Sequence, residues 1–317
     1  MCIRLIVSVF LWVGSVSVFA SEFSVGLSVW SGYPESVRGF KDGLASQGLL
    51  EGEQVNFIQG DVGADKSLQL NVAERFKAEK VHLVYSLTTP GTTIVKSVMP
   101  EKTPIVFSIV TYPADSGLIE SFEYSGNNLV GTSNFIPLRH YIHLLKNVLP
   151  KAKRAAVFHR KGEPNSKIQA SNMLRHLKRE GISVIDIEAE SVDEVIGRAA
   201  ELVGRVDVFI TTTDTLMQSG GEAALVKISL ENGIPILSSN KKGIEGGATF
   251  GPVADFYLLG KMSGIKAAKI LKNNIPPTRI ESELQKEPIA LINRQSLKKL
   301  GIEISSSLLK NVHWANE

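Results

Sequence analysis

Cysteine is almost absent: the single example among 317 residues is Cys2. It precedes the first apolar run instead of following it, so it does not read as the acylated residue of a lipoprotein. No second thiol exists to close a disulfide, and stability must come from burial, which a chain of this length can supply. Long hydrophobic runs are also missing. The most apolar stretch, Leu5 to Phe19, is uncharged and lies behind the lone cation Arg4, running into Val18-Phe19-Ala20. It falls short of the ~20 residues that a membrane span needs. A basic start, a short apolar core and small residues before Ser21 read as a secretory signal at 1–20, cleaved after Ala20, which places the remainder in the periplasm. Charge of one sign is lacking too: the formal net charge is +3, and +2 once Arg4 leaves with the signal. That balance points away from nucleic acid or an acidic surface as partner.

Signature motifs are missing as well. There is no G-x-x-x-x-G-K-[ST], no G-x-G-x-x-G after the first strand, no G-x-S-x-G and no H-E-x-x-H. Nucleotide hydrolysis, dinucleotide redox chemistry, α/β-hydrolase catalysis and zincin proteolysis lose their usual marks. His140 and His143 share a helix face but lie opposite its apolar stripe, which reads as two solvated histidines and no metal site. The reading is of a binder without a cofactor, and not of an enzyme.

What is present is alternation. Short β-branched runs alternate with segments of helical period, the pattern of a parallel sheet wrapped by helices. The runs predict strands at Ser24–Val29, Val55–Ile58, Val81–Tyr85, Ile105–Val110, Ala155–Phe158, Val184–Ile187, Val206–Thr211, Ile234–Leu237 and Ile289–Ile292, with another around Leu129–Thr132. Helical spacing appears at Val37, Phe40 and Leu44, at Leu68, Val72 and Phe76, and at Leu138, Tyr141, Ile142, Leu145 and Leu149. Further helices are expected at Ser166–Glu180, Val192–Val203, Gly221–Glu231 and Asp255–Lys272. An internal echo matches Val81 to Pro90 with Val206 to Asp214, and each copy leads through a helix to a Pro-Ile strand, at Pro104-Ile105 and Pro235-Ile236. Two copies of one unit predict two similar lobes, divided near Phe135 to Pro137.

In such sheets ligands collect beyond the carboxyl ends of the strands. There the sequence places Ser86-Leu87-Thr88-Thr89-Pro90, with Thr89 as an expected N-cap and a helix N-terminus suited to a carboxylate. The matching loop of the second half is Thr211 to Thr215, where Asp214 is suited equally to capping a helix and to meeting an ammonium group. Other strand-end loops add Trp30, Tyr33, Thr111, Tyr112, His159, Glu163, Asn165, Ser239 and Asn240, a mixture of aromatic faces and hydrogen-bonding groups that fits a small-molecule pocket.

Several segments together carry a resemblance: Gly39 to Leu44, Thr103 to Phe107, Asn128 to Ser133, Leu149 to Arg154, Leu259 to Lys261 and Ala267 to Leu271. Over nearly all of the chain after residue 20, the sequence resembles the substrate-binding proteins of ABC importers, in the group that includes binders of tryptophan, tyrosine and phenylalanine. The resemblance implies a type I periplasmic-binding-protein fold of two doubly wound parallel-sheet lobes joined by three crossover strands. Lobe 1 would hold 21–136 plus 249–278, and lobe 2 would hold 137–248 plus 279–317. The later crossings would fall near Ala248–Pro252 and Pro276–Ile280. The family's pocket would map onto Thr88, Thr89, Thr132, Ser133, Asn165, Ser166, Asp214 and Ser239. The implied partners are a small-molecule ligand and a membrane permease, with the protein itself a monomer. Similar proteins commonly carry Asp at the positions of Tyr112 and Asn240, so Asp214, with Glu163, is left to supply the counter-charge for an ammonium group. A rival output, signalling to a membrane sensor, shares every residue named. Acid-base catalysis by Glu163 and Asp214 is the remaining alternative.

Overall fold

The structure is a computed structural model that describes residues 22–30, 33–310 and 312–316, apart from the side chain of residue 307; the expected signal segment lies outside them. The strands are β1 (Phe23–Ser28), β2 (Val55–Gln59), β3 (Leu83–Leu87), β4 (Ile105–Ser108), β5 (Leu129–Ser133), β6 (Arg154–Arg160), β7 (Ser183–Ala189), β8 (Val208–Thr211), β9 (Ile236–Leu237), β10 (Phe250–Val253), β11 (Glu283–Leu284), β12 (Ile289–Ile292) and β13 (His313–Trp314). The helices are α1 (Pro34–Ala45), α2 (Lys66–Ala78), α3 (Thr89–Val98), α4 (Leu138–Val148), α5 (Pro164–Arg179), α6 (Val192–Glu201), α7 (Glu222–Asn232), α8 (Lys241–Glu245), α9 (Phe256–Asn273), α10 (Arg294–Lys299) and α11 (Ser306–Leu309).

Two sheets form. The first runs β11-β5-β4-β3-β1-β2 and the second β13-β12-β10-β9-β8-β6-β7. Omitting β11 to β13, both have one order, in which the first strand of each half sits between the second and the third. The echo between Val81 and Val206 therefore joins β3 to β8, which occupy the same place in the two sheets. The likeness extends to backbone packing. A Cβ on Gly131 of β5 would lie 2.0 Å from Phe107 O, and one on Gly251 of β10 would lie 1.8 Å from Ser238 O. Each glycine lets its strand press against the preceding one.

The central strands are apolar on both faces because helices cover both sides. Val25, Leu27, Leu83 and Tyr85 of the first sheet, and Ala155, Val157, Phe209 and Ile210 of the second, are fully buried. Tyr85 stacks on Phe40 of α1 with ring centroids 3.8 Å apart.

Strand pairing moves two of the expected crossings. Phe250 to Val253 pair with β12, and Phe250 also with Leu237 of β9. Residues expected to be a crossing are thus a strand of the second sheet, and the chain passes over after Val253. Next, α9 packs on α1, backbone against backbone through Gly39, Gly43, Gly260 and Gly264. Glu283 and Leu284 then pair with Thr132 and Ser133 of the first sheet, so the third crossing falls between Leu284 and Ile289, beyond the expected Pro276–Ile280. Pairing with β5 keeps the chain in the first sheet beyond the crossing that the resemblance implied.

Candidate functional site

The site is built from the carboxyl ends of the strands. After β3 the chain turns into α3 through Thr88, whose Oγ1 accepts a hydrogen bond from Gly91 N at 3.3 Å. Thr88, not Thr89, is therefore the N-cap, and Thr89 and Pro90 are the first helical residues. Thr88 has φ +69°, and Trp30, Tyr33 and Ile109 at neighbouring strand ends have φ +49°, +47° and +57°. Three of these, Tyr33, Thr88 and Ile109, line one cavity, and such strained conformations gather at binding sites.

From the second half, the loop after β6 presents Glu163, the first turn of α5 presents Asn165, and the segment after β8 presents Thr213 and Thr215. Glu163 Oε2 accepts hydrogen bonds from Thr215 N at 3.2 Å and Thr215 Oγ1 at 2.6 Å. Its Oε1 accepts one from Asn165 Nδ2 at 3.1 Å. The Arg160 guanidinium stands 3.8 Å away. Burial, and then the neighbouring Asp214, push the Glu163 carboxyl above the usual carboxylate range.

These groups enclose one cavity. Its wall takes Tyr33, Thr88, Thr89, Thr111 and Asn134 from the first half, and Glu163, Asn165, Thr215 and Gln218 from the second. It is narrow, with about 10 Å³ open to a water-sized centre, room for roughly one water. Four of the wall atoms, Tyr33 Oη, Thr89 Oγ1, Asn134 Oδ1 and Asn165 Oδ1, are buried without a hydrogen-bond partner. Buried polar atoms are nearly always paired, so four at one cavity mark a wall suited to a polar guest.

Six of the residues expected at the site thus meet there: Tyr33, Thr88, Thr89, Thr111, Glu163 and Asn165. The others lie behind or beside it. Trp30 packs into the core of the first half. Ser86 Oγ bonds Thr92 Oγ1 at 2.9 Å. Tyr112 packs against Phe135 with ring centroids 5.3 Å apart. Thr132 Oγ1 bonds Ser263 Oγ of α9 at 2.9 Å, and Ser133 Oγ donates to Thr111 O at 2.9 Å. His159 Nε2 faces away, 2.9 Å from Asp186 Oδ1. His140 is half-buried, not solvated, and burial lowers its pKa.

Asp214 is saturated by the protein itself. Its Oδ2 accepts from Thr212 Oγ1 at 2.6 Å, Arg160 N at 3.0 Å and Ser166 Oγ at 3.2 Å, while its Oδ1 caps the following helical turn by accepting from Met217 N at 2.8 Å. Ser239 Oγ donates to Thr211 O at 2.7 Å, and Asn240 Nδ2 donates to Glu222 Oε2 at 2.6 Å. Sequence reasoning passed over Ile109, Asn134, Thr213, Thr215 and Gln218 as contacts. Thr213 and Thr215 flank Asp214 in a loop the echo had already marked, whereas Gln218 lies on a π-helical turn that no sequence pattern announces.

Comparison with known proteins decides the family. A family model described as ABC transporter substrate binding protein matches residues 30–314. The chain belongs to that family. This ABC transporter substrate binding protein is 28% identical over 287 residues to a tyrosine-binding protein of Clostridioides difficile strain R20291, an alignment that takes in 88% of this chain and 81% of its relative. In fold it is similar to an ABC domain in complex with L-Trp from Streptococcus pneumonia, at 23% identity and TM-score 0.86, over 93% of this chain and 99% of the other. It is also similar to the ligand-free, open structure of a substrate binding protein with adhesive properties from Clostridium difficile, at 27% identity and TM-score 0.72, over 92% and 98% of the two chains. The two sheets of equal strand order give the substrate binding protein the lobes of a type I periplasmic binding protein. Among the described residues, no helix is long and apolar enough to cross a membrane.

Proposed function

We propose that this substrate binding protein captures an amino acid, in zwitterionic form and with an aromatic side chain, between two lobes that close on it, and delivers it unaltered to an ABC permease. Lobe 1 comprises the described residues up to 136 together with 254–284, and lobe 2 comprises 137–253 together with 285–316. The protein works outside the cytoplasmic membrane as a monomer, released by cleavage after Ala20.

The observation that carries this reading is the narrow cavity, walled by both halves, whose wall holds four unpartnered polar atoms. Its electrostatics suit a zwitterion. The N-terminus of α3, with Thr88 and Thr89, offers positive partial charge to a carboxylate. Across the cleft, Glu163 offers a carboxylate to an ammonium group. A ligand that bridges the two binds the closed arrangement better than the open one, which is the condition for closure. The cavity holds little more than a water when shut, so the lobes must part to admit the guest. The likeness to a tyrosine-binding protein and to an L-Trp complex supports the aromatic choice.

The test is calorimetry of the purified protein with tyrosine, tryptophan and phenylalanine, backed by thermal unfolding. A ligand at 100 times its Kd raises stability by about 2.7 kcal/mol. Saturable binding of at least one is expected. If all three fail while a sugar or nucleoside binds, the amino-acid reading falls.

A further inference from the structure

A second cavity, of about 540 Å³, adjoins the narrow one and shares Tyr33 and Gln218 with it. Much of its wall is apolar or aromatic, from Met217, Ala223, Phe256 and Tyr257. Glu222, the first residue of α7, and Asn240, just before α8, also stand in this wall and are only 2% and 3% exposed. Asn240 Nδ2 donates to Glu222 Oε2 at 2.6 Å, and at 3.4 Å to Thr212 O. That leaves Glu222 Oε1 and Asn240 Oδ1 as two buried atoms without a partner.

The seat is built for the carboxylate. A Cβ on Gly243 would lie 2.3 Å from Glu222 Cδ and 2.5 Å from each carboxylate oxygen, so a glycine at 243 keeps that space free. Two unpartnered acceptors on one hydrogen-bonded pair of side chains, one of them a carboxylate, call for a donor, and a cation is the strongest.

We infer that this chamber is a subsite for an organic cation, an ammonium or guanidinium group on an apolar or aromatic stem, seated between Glu222 Oε1 and Asn240 Oδ1. The inference rests on the cleft being the ligand site and deepens that reading: the preferred guest carries a second, donor-bearing end beyond its amino-acid head. Tyr33 and Phe256, packed edge-to-face at 5.7 Å, add aromatic surface of the kind that attracts a cation, as the Tyr257 ring already does for Arg38, whose guanidinium lies 4.5 Å from its centroid. The other charged groups in the wall are Glu35, Lys241, Lys242, Glu245 and Asp255, while Asp214 lies behind Glu222. Glu35 is paired with Arg38, and Lys241 stands 3.8 Å from Glu245. Burial raises the Glu222 carboxyl to about 7 against the lowering influence of Ser238, Asn240 and Thr211, with Asp214 adding a smaller push upward, so it is charged at pH 8 and mostly neutral at pH 5.5.

The probe is benzylamine, which has a ring and an ammonium group but no carboxylate, titrated by calorimetry into the purified protein. Saturable binding at pH 8 is expected, weaker by about tenfold or more at pH 5.5, where Glu222 is protonated. Benzyl alcohol should bind more weakly than benzylamine at pH 8, and Glu222→Gln should cost benzylamine about tenfold or more. Should that variant not fold, the two pH values and the alcohol decide the matter on the unsubstituted protein. Absence of saturable binding at pH 8, equal binding at both pH values, or loss with Glu163→Gln but not with Glu222→Gln overturns the inference. An aromatic amino acid that binds when benzylamine does not leaves the proposed function standing alone. The reverse result keeps the cation subsite and removes the amino-acid reading.

Discussion

Thr215 holds Glu163 from two sides, its hydroxyl donating at 2.6 Å and its backbone N–H at 3.2 Å to the same carboxylate oxygen. The contact joins the loop after β6 to the loop after β8. It fixes the one acidic group of the second half that both lines the narrow cavity and faces the α3 N-terminus across it.

Glu163→Gln removes that charge and keeps the shape. If the guest carries an ammonium group there, losing one partner of a buried charge pair costs about 3–5 kcal/mol, a hundredfold or more in Kd. Calorimetry with the best-binding amino acid checks it. An affinity within threefold of the unsubstituted protein would remove Glu163 from the site.

Asp214→Ala acts on stability. It strands the N–H groups of Arg160 and Met217, while Thr212 Oγ1 and Ser166 Oγ keep Phe158 O and Arg160 O as acceptors, and each buried unsatisfied group costs about 1–3 kcal/mol. Urea unfolding should show a loss of about 3 kcal/mol or more. A change below about 1 kcal/mol would mean that water or a neighbour replaces the carboxylate.

Thr89→Val separates binding from folding. The buried hydroxyl of Thr89 makes no hydrogen bond within the protein, so its removal should leave the unfolding midpoint unchanged or slightly raised. Ligand affinity should fall by about 1 kcal/mol, roughly fivefold, since a hydrogen bond made only with the guest is lost. A destabilised protein with full affinity would contradict the assignment.

Glu222 predicts a pH dependence. Its carboxyl stands at about 7 in the folded chain against 4.5 ordinarily, so between those values the folded state binds more protons than the unfolded one. Stability then falls as pH rises from about 4.5 to 7, by up to about 3 kcal/mol for this group. Denaturant unfolding of the unsubstituted protein at pH 5 and pH 8, set against Glu222→Gln, should show a steeper fall in the unsubstituted protein. Parallel profiles would place the titration elsewhere.

Much of the architecture was legible because buried parallel strands and amphipathic helices are written in local pattern. Val55–Ile58, Ile289–Ile292 and the stripe from Leu138 to Leu145 reappear within a residue or two. The short strands were not legible: His313–Trp314 and Glu283–Leu284 are two-residue edges whose only cause is a neighbour's free backbone. Ile105–Val110 reads as one β-branched run, yet the strand stops at Ser108 because Ile109 turns to φ +57° at the cavity rim.

By itself the sequence determined the class, two echoing α/β halves without thiol chemistry or nucleotide motifs, and it determined which loops would carry the polar groups. Only the tertiary structure decided among those groups. Asp214 and Glu163 are both acids at strand ends, but the four donors that converge on Asp214 turn it inward as a cap, while Glu163 stays at the cavity wall. The difference lies in the partners supplied by residues up to 54 positions away, and no local pattern encodes where such distant donors will point.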